Sequence, residues 1–274
     1  MLVCLLDIDS KIPNVALMKL STYHRRMGDA VKLGFDPGTD RPDLAYASKM
    51  FDFTSEPDIM PDCEIVKGGP GYDASARLGI PEYERIMPDY SLYPQYDYAI
   101  GRFTRGCPNN CPWCVVPAMD GNEVRHVADL CDFWDGQKVV RLLDDNIMAD
   151  ADEFCRACDQ LAWAGVKTIW EALDIRLVNE QTAKALASIG HAKRIHFSWD
   201  GPSQDDGCTE GYRAACEAWA QAVAARVLRA RRVQHNSRVR HAPHHRTEKN
   251  GSKPVRDAVR PARPVPAPPC EMVQ

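Results

Sequence analysis

The chain has 274 residues, 45% of them hydrophobic and 26% charged, proportions that fit a globular protein with a real core and exclude a wholly disordered one. No run approaches the roughly 18 consecutive apolar residues that a membrane-spanning helix needs, and Met1-Leu-Val-Cys-Leu-Leu-Asp7 lacks the basic start of a secretory signal, so a reducing, cytoplasmic setting is expected for its 11 cysteines. The net charge of −4 hides a split, because residues 221–274 hold 12 basic and 3 acidic side chains (net +9) and residues 1–220 hold 22 and 35 (net −13).

The first elements alternate as α/β proteins do. Val3-Cys4-Leu5-Leu6 is a short apolar run ending in Asp7-Ile8-Asp9, a buried strand with polar residues at its carboxyl end. Asn14 precedes a helical stretch in which Val15 and Met18, and Leu17, Leu20 and Met27, keep helical spacing, with Gly28 as its stop. Val31–Phe35, Asp43–Ser48 and Cys63–Lys67 read as further strands, the last running into Gly68-Gly-Pro-Gly-Tyr72. That glycine run suits either a close approach to a phosphate or a plain turn. Strand, helix and strand with short links favour a parallel sheet.

A connector rich in Pro and Tyr (Pro81, Pro88, Tyr90, Tyr93, Pro94, Tyr96) leads to a strand at Tyr98–Gly101. Val139–Leu143, Lys167–Trp170 and Arg194–Phe197 continue the strand pattern, with helical stretches at Asp150–Ala164 and Asn179–Ile189 between them. The expected fold is therefore α/β, a Rossmann-like parallel sheet over residues 1–95 followed by a second β-α-β-α segment over 96–206. Residues 207–274 begin with an Ala-rich helix (Thr209 to Arg232) and pass into an Arg/Pro-rich tail. That tail has too little apolar periodicity to offset its ordering entropy, so disorder is expected there.

Chemistry concentrates in Thr104-Arg-Gly-Cys107-Pro-Asn-Asn-Cys111-Pro-Trp-Cys114, directly after a strand. Loop thiolates at spacings of four and three can hold one metal centre. Zinc is one reading, although a closed zinc site needs four ligands and no second Cys-x-x-Cys of knuckle type lies in a loop. The motif resembles that of the radical S-adenosylmethionine superfamily, C-x3-C-x-aromatic-C, with Trp113 in the aromatic slot. The wording T-R-G-C-P-x-x-C-P-W-C is most similar to the branch with an N-terminal cobalamin-binding-like domain. This resemblance implies that residues 96–206 form a partial (β/α) barrel and that Cys107, Cys111 and Cys114 hold three irons of a 4Fe-4S cluster, leaving the fourth iron open to S-adenosylmethionine, and soft thiolates suit that role.

The same resemblance implies further site residues. Asp144, Asp145 and Asn146, closing the second barrel strand, would face the amino group of S-adenosylmethionine, or else form an ordinary acidic cap. Trp170-Glu-Ala-Leu-Asp174-Ile-Arg176 matches a tryptophan-to-arginine pattern of the branch, and Arg176 would clamp the carboxylate, or simply pair with Asp174. Ser198 and Asp200, ending the fourth strand, would meet ribose hydroxyls. The implied activity is reductive cleavage of S-adenosylmethionine to a 5′-deoxyadenosyl radical acting on an unknown substrate, fed by a reductant such as flavodoxin or ferredoxin. Cobalamin stays open as a cofactor, but not with histidine as cobalt ligand: no Asp-x-His-x-x-Gly occurs, and His24, the sole histidine of the first 100 residues, falls inside a helix.

Other cysteines take the plainer reading. Cys155 and Cys158 lie within a helical pattern, and Cys4, Cys63 and Cys131 read as core residues. The barrel pattern stops near residue 200, two strand–helix units short. A frameshifted or truncated reading frame would produce such a join. A basic arm for nucleic acid is the other reading of the tail, and it belongs to the alternative function, a non-catalytic iron–sulfur or zinc protein.

Overall fold

The computed structural model describes residues 1–80, 82–198 and 206–221. Residues 1–222 form one compact unit. The expected start is met: β1 (Leu2–Asp7) buries Val3, Cys4 and Leu5 completely, and α1 (Val15–Arg26) follows. Asn14 caps that helix, its side chain accepting the Leu17 N–H at 3.2 Å, which satisfies one of the donors a helix start leaves orphaned. α1 buries Leu17, Met18 and Leu20 against the sheet, whereas Met27 sits past the last turn and is exposed.

β2 (Ala30–Leu33), β3 (Leu44–Ser48) and β4 (Glu64–Gly68) complete a four-stranded sheet in the order β2-β1-β3-β4, parallel throughout. Only the β1–β2 crossover contains an α-helix; loops make the other two links. The glycine run after β4 is a turn packed against another loop. Gly69 has a φ of +93°, and a Cβ there would lie 2.5 Å from the Lys49 carbonyl oxygen. A Cβ on Gly71 would lie 2.8 Å from the backbone of Phe51.

The second sheet begins with β5 (Ala99–Gly101), after which β6 (Thr104–Arg105) opens a long excursion containing the four-residue α2 (Val116–Met119) and closing on β7 (Arg125–His126). β8 (Val139–Leu142), α3 (Ala151–Ala164), β9 (Lys167–Trp170), α4 (Glu180–Ser188) and β10 (Gly190–His191) follow. This sheet is again parallel, in the order β10-β9-β8-β5. Val140 and Leu142 of β8 and Trp170 of β9 pack on Phe154, Ala157, Cys158 and Leu161 of α3, and Leu186 of α4 belongs to the same core.

One expected strand is absent. Arg194–Phe197 forms no strand, and Gly190–His191 takes the fourth place in the sheet instead. Ile195 and Phe197 do alternate towards the core, but the chain meets its neighbour at only one bridge, Asp174 with Ser198. A single pairing point leaves no ladder. A further helix covers 206–221; the rest of the expected Ala-rich helix, the tail and Asp200 lie outside the described residues. Among the described residues no helix is long and apolar enough to cross a membrane.

Of the remaining cysteines, Cys4 and Cys158 are fully buried, while Cys63, Cys131 and Cys155 are half-buried. Burial pushes the Cys158 thiol well above its ordinary range, as it does less strongly for Cys155.

Candidate cluster and cofactor site

The three cysteines sit on the excursion between β6 and β7. Gly106 begins it with φ +93°, and a Cβ there would lie 2.1 Å from the Glu123 carbonyl oxygen, so this position needs glycine both for its angle and for the close return of the chain. Asn110 also adopts a positive φ, 45°, between Cys107 and Cys111. Cys107 and Cys111 are half-buried free thiols and Cys114 is an exposed one. Trp113 stands 74% exposed beside them.

Residues at the carboxyl ends of β8 and β9 hold this loop. The Gly106 N–H donates to Asp145 Oδ2 at 2.8 Å, and Asn109 Nδ2 donates to Asp174 Oδ2 at 3.0 Å. Asn146 Nδ2 lies 3.5 Å from Cys107 Sγ, and the Val116 N–H lies 3.4 Å from Cys114 Sγ. Such N–H···S contacts are among the ways a protein sets the potential of a thiolate-bound centre.

Asp144 is the most constrained of the three neighbours. It is fully buried, and its Oδ1 accepts the Phe103 N–H (3.0 Å), the Thr104 N–H (2.7 Å) and the Thr104 hydroxyl (2.8 Å). Among the described residues its Oδ2 has no partner, and neither does the buried Oδ1 of Asn146. Burial outweighs the three hydrogen bonds and pushes the Asp144 carboxyl up to about 6. Two orphaned buried acceptors therefore flank the cysteine loop, which is costly unless a donor occupies them.

Asp145 differs, being engaged by Gly106 and lying 3.6 Å from the Arg102 guanidinium. Burial also raises its carboxyl above the ordinary range. Arg176 is turned onto Asp174, with Nε 2.8 Å from Oδ1 and a further contact from Nη2 to Oδ2. That pair and Asn109 hold the Asp174 carboxyl below its ordinary range despite its burial. Ser198 is exposed, its N–H bonded to the Leu173 carbonyl at 2.8 Å. Asp120, Arg102 and Arg105, absent from the sequence-based set, are tied into the base of the loop.

Three free thiols on one loop are soft donors of the kind that an iron–sulfur cluster or a zinc ion would use. Among the described residues no three His, Cys, Asp or Glu side chains are already grouped around one point. Cobalt ligation finds no donor in His24, whose Nδ1 is 2.8 Å from Asp29 and whose Nε2 is 3.0 Å from Tyr46 Oη.

A cleft of about 670 Å³ is lined by Ser10, Ser48 and Gly68 at the strand ends of the first sheet and by Arg105 and Asp120 at the base of the loop. Ligands of open parallel sheets bind at this end of the strands.

Comparison with known proteins bears on the fold. Two solved structures of TsrM, a radical S-adenosylmethionine methyltransferase from Kitasatospora setae, superpose on this chain. The form with cobalamin and a 4Fe-4S cluster bound gives a TM-score of 0.53 over 80% of this chain and 67% of that one, at 13% identity. The form with tryptophan substrate and the analogue aza-SAM gives 0.50 over 69% and 57%, also at 13%. The fold of this chain is thus similar to that of TsrM. No protein-family model and no curated protein matches the sequence. The chain spans between about half and two thirds of TsrM.

Proposed function

We propose that this chain is a radical S-adenosylmethionine protein whose Cys107, Cys111 and Cys114 hold a 4Fe-4S cluster. The observation that carries the reading is the pair of orphaned acceptors, Asp144 Oδ2 and Asn146 Oδ1, buried beside a three-cysteine loop. A buried carboxylate oxygen and an amide oxygen without donors suit an ammonium, which brings three N–H bonds and a positive charge. The amino group of S-adenosylmethionine is such a donor. Asp145 has a different task, fixing Gly106 at the start of the loop. Trp113 offers an exposed ring for the adenosyl part, and Ser198 a hydroxyl for the ribose. Arg176, engaged by Asp174, steadies the loop through the Asp174–Asn109 bond and would have to leave that pair to clamp a carboxylate.

When bound and reduced, the cluster supplies the electron that cleaves S-adenosylmethionine into methionine and a 5′-deoxyadenosyl radical, drawn from a reductant such as flavodoxin or ferredoxin. This chemistry requires no corrinoid. The assay is anaerobic reconstitution followed by reduction with excess dithionite in the presence of S-adenosylmethionine. Formation of 5′-deoxyadenosine and methionine is expected. A protein with one zinc, no sulfide and no cleavage would overturn the reading.

A further inference from the structure

The cysteine loop leaves and re-enters the protein through a narrow neck. β6 and β7 pair over two residues only, Thr104 with His126 and Arg105 with Arg125, so the ladder contributes little to closing the excursion between them. Asp120 fills the neck and is 3% exposed. Its carboxylate accepts Arg105 Nη1 at 2.8 and 3.0 Å and lies 3.4 Å from Arg102 Nη1. Its carbonyl accepts a hydrogen bond from Arg125, and the adjacent Gly121 carbonyl accepts the Cys107 N–H at 3.2 Å. Arg102 Nη1 lies 3.6 Å from Asp145 Oδ1 as well, and Asp145 Oδ2 holds the Gly106 N–H.

The network continues away from the loop. Arg105 Nε donates to Glu84 Oε1 at 2.8 Å, and Lys19 Nζ, 4% exposed on α1, donates to the Glu84 carbonyl at 2.6 Å. An unbroken series of contacts thus runs from the helix of the first sheet to the residue before Cys107. Lys19, Glu84, Arg105 and Asp120 also line the 670 Å³ cleft. We propose that Asp120 is a positioning residue that keeps the neck of the cysteine loop closed and ties it, through Arg105 and Glu84, to Lys19 on α1. Removing its charge leaves two half-buried guanidinium groups short of a partner at the place where the chain must return, which is a costly arrangement. The loop then opens locally while the sheets stay intact, since α3 and α4 make no part of the network.

The inference rests on the cysteine loop being the cluster loop only for its consequence; the neck belongs to the bare chain. Amide hydrogen exchange on the full-length, iron-free protein tests it. Asp120→Asn is expected to speed exchange in residues 106–124 at least tenfold and to leave α3 and α4 unchanged. Glu84→Gln, a milder change at a more exposed site, is expected to give about threefold in the same segment. Unchanged exchange at 106–124 in both variants would overturn the proposal, as would acceleration of equal size in α3 and α4. Reconstitution of the same variants supplies a second readout: Asp120→Asn should retain iron but show an altered electron paramagnetic resonance spectrum on reduction. If the parent takes up no cluster and the neck still opens, the positioning role stands and the cluster reading falls. An unaltered spectrum in a fully loaded Asp120→Asn would count against the positioning role alone.

Discussion

Two four-stranded parallel sheets follow one another along this chain, and the polar residues at their carboxyl ends meet opposite fates. In the first sheet the carboxylates and the amide of Asp7, Asp9 and Asn14 are satisfied by their neighbours. Asp9 accepts the N–H groups of Met50 and Phe51 at 2.7 and 3.0 Å, Asn14 donates to both Ser10 and Ser48, and Tyr93 donates to Asp7 at 2.6 Å. In the second sheet Asp144 Oδ2 and Asn146 Oδ1 are buried without partners among the described residues. The same architecture is closed in one place and left open in the other. Natural structures seldom leave buried acceptors empty, which is why we propose that a ligand with donors occupies this end.

The largest effect that would sharpen this contrast is loss of the proposed metal centre. Cys107→Ala should bring reconstituted iron and sulfide from about four each per chain to below one, whereas Cys155→Ser, in a helix, should leave both unchanged. Iron and sulfide analysis distinguishes them; equal loss in the two variants would break the assignment.

Next in size is the Asp144 carboxyl. Its value in the fold, about 6, lies above the 3.8 of the unfolded chain, so the folded state holds the extra proton. The cost of ionising it is absent below pH 4, grows as the pH rises through 6 and is complete above that. Two units correspond to roughly 3 kcal/mol. Asp144→Asn removes this cost, so its melting temperature should match the parent's near pH 4 and exceed it by about 6 °C or more at pH 7.5. The same change should weaken S-adenosylmethionine binding about tenfold, roughly 1.4 kcal/mol, measured by equilibrium dialysis. A variant less stable than the parent at pH 7.5 would show that Asp144 is held by its three hydrogen bonds and carries no penalty.

Asn146→Ala tests the smaller N–H···S contact to Cys107. Losing one hydrogen bond of about 1 kcal/mol to the cluster's sulfur should lower the one-electron potential by on the order of 40 mV, read by spectroelectrochemical titration. The corresponding change in the first sheet, Asp9→Asn, should move neither the potential nor the iron content. A shift there as large as that of Asn146→Ala would erase the distinction between the two sheets.

Much of the architecture was legible because its signals are local. The apolar run of β1, the Asn14 cap and the helical spacing on α3 each identify an element without reference to the rest of the chain. The cysteine spacing marked the loop in the same way. Arg194–Phe197 misled because its alternation is genuine and its partner strand is not: residues 195 and 197 do face the core, but pairing depends on where the chain lies relative to β9. The neck was hidden for another reason. β6 and β7 are two residues each, too short for any period to register, and Asp120 gains its role only when Arg102 and Arg105 are brought to it across the excursion. Arg102, Arg105 and Arg125 flanking the loop, with Asp120 and Glu123 just inside its return, are the sequence signal of the neck, and it was not read.

The central claim is that the cysteine loop and the two open acceptors form one site. Adding S-adenosylmethionine to the anaerobically reconstituted, reduced protein and recording its electron paramagnetic resonance spectrum tests that most directly. The account predicts a 4Fe-4S signal whose shape changes on addition in the parent and changes little in a doubly substituted Asp144→Asn, Asn146→Ala protein at the same concentration. A cluster signal indifferent to S-adenosylmethionine in the parent, or no cluster at all, would contradict it.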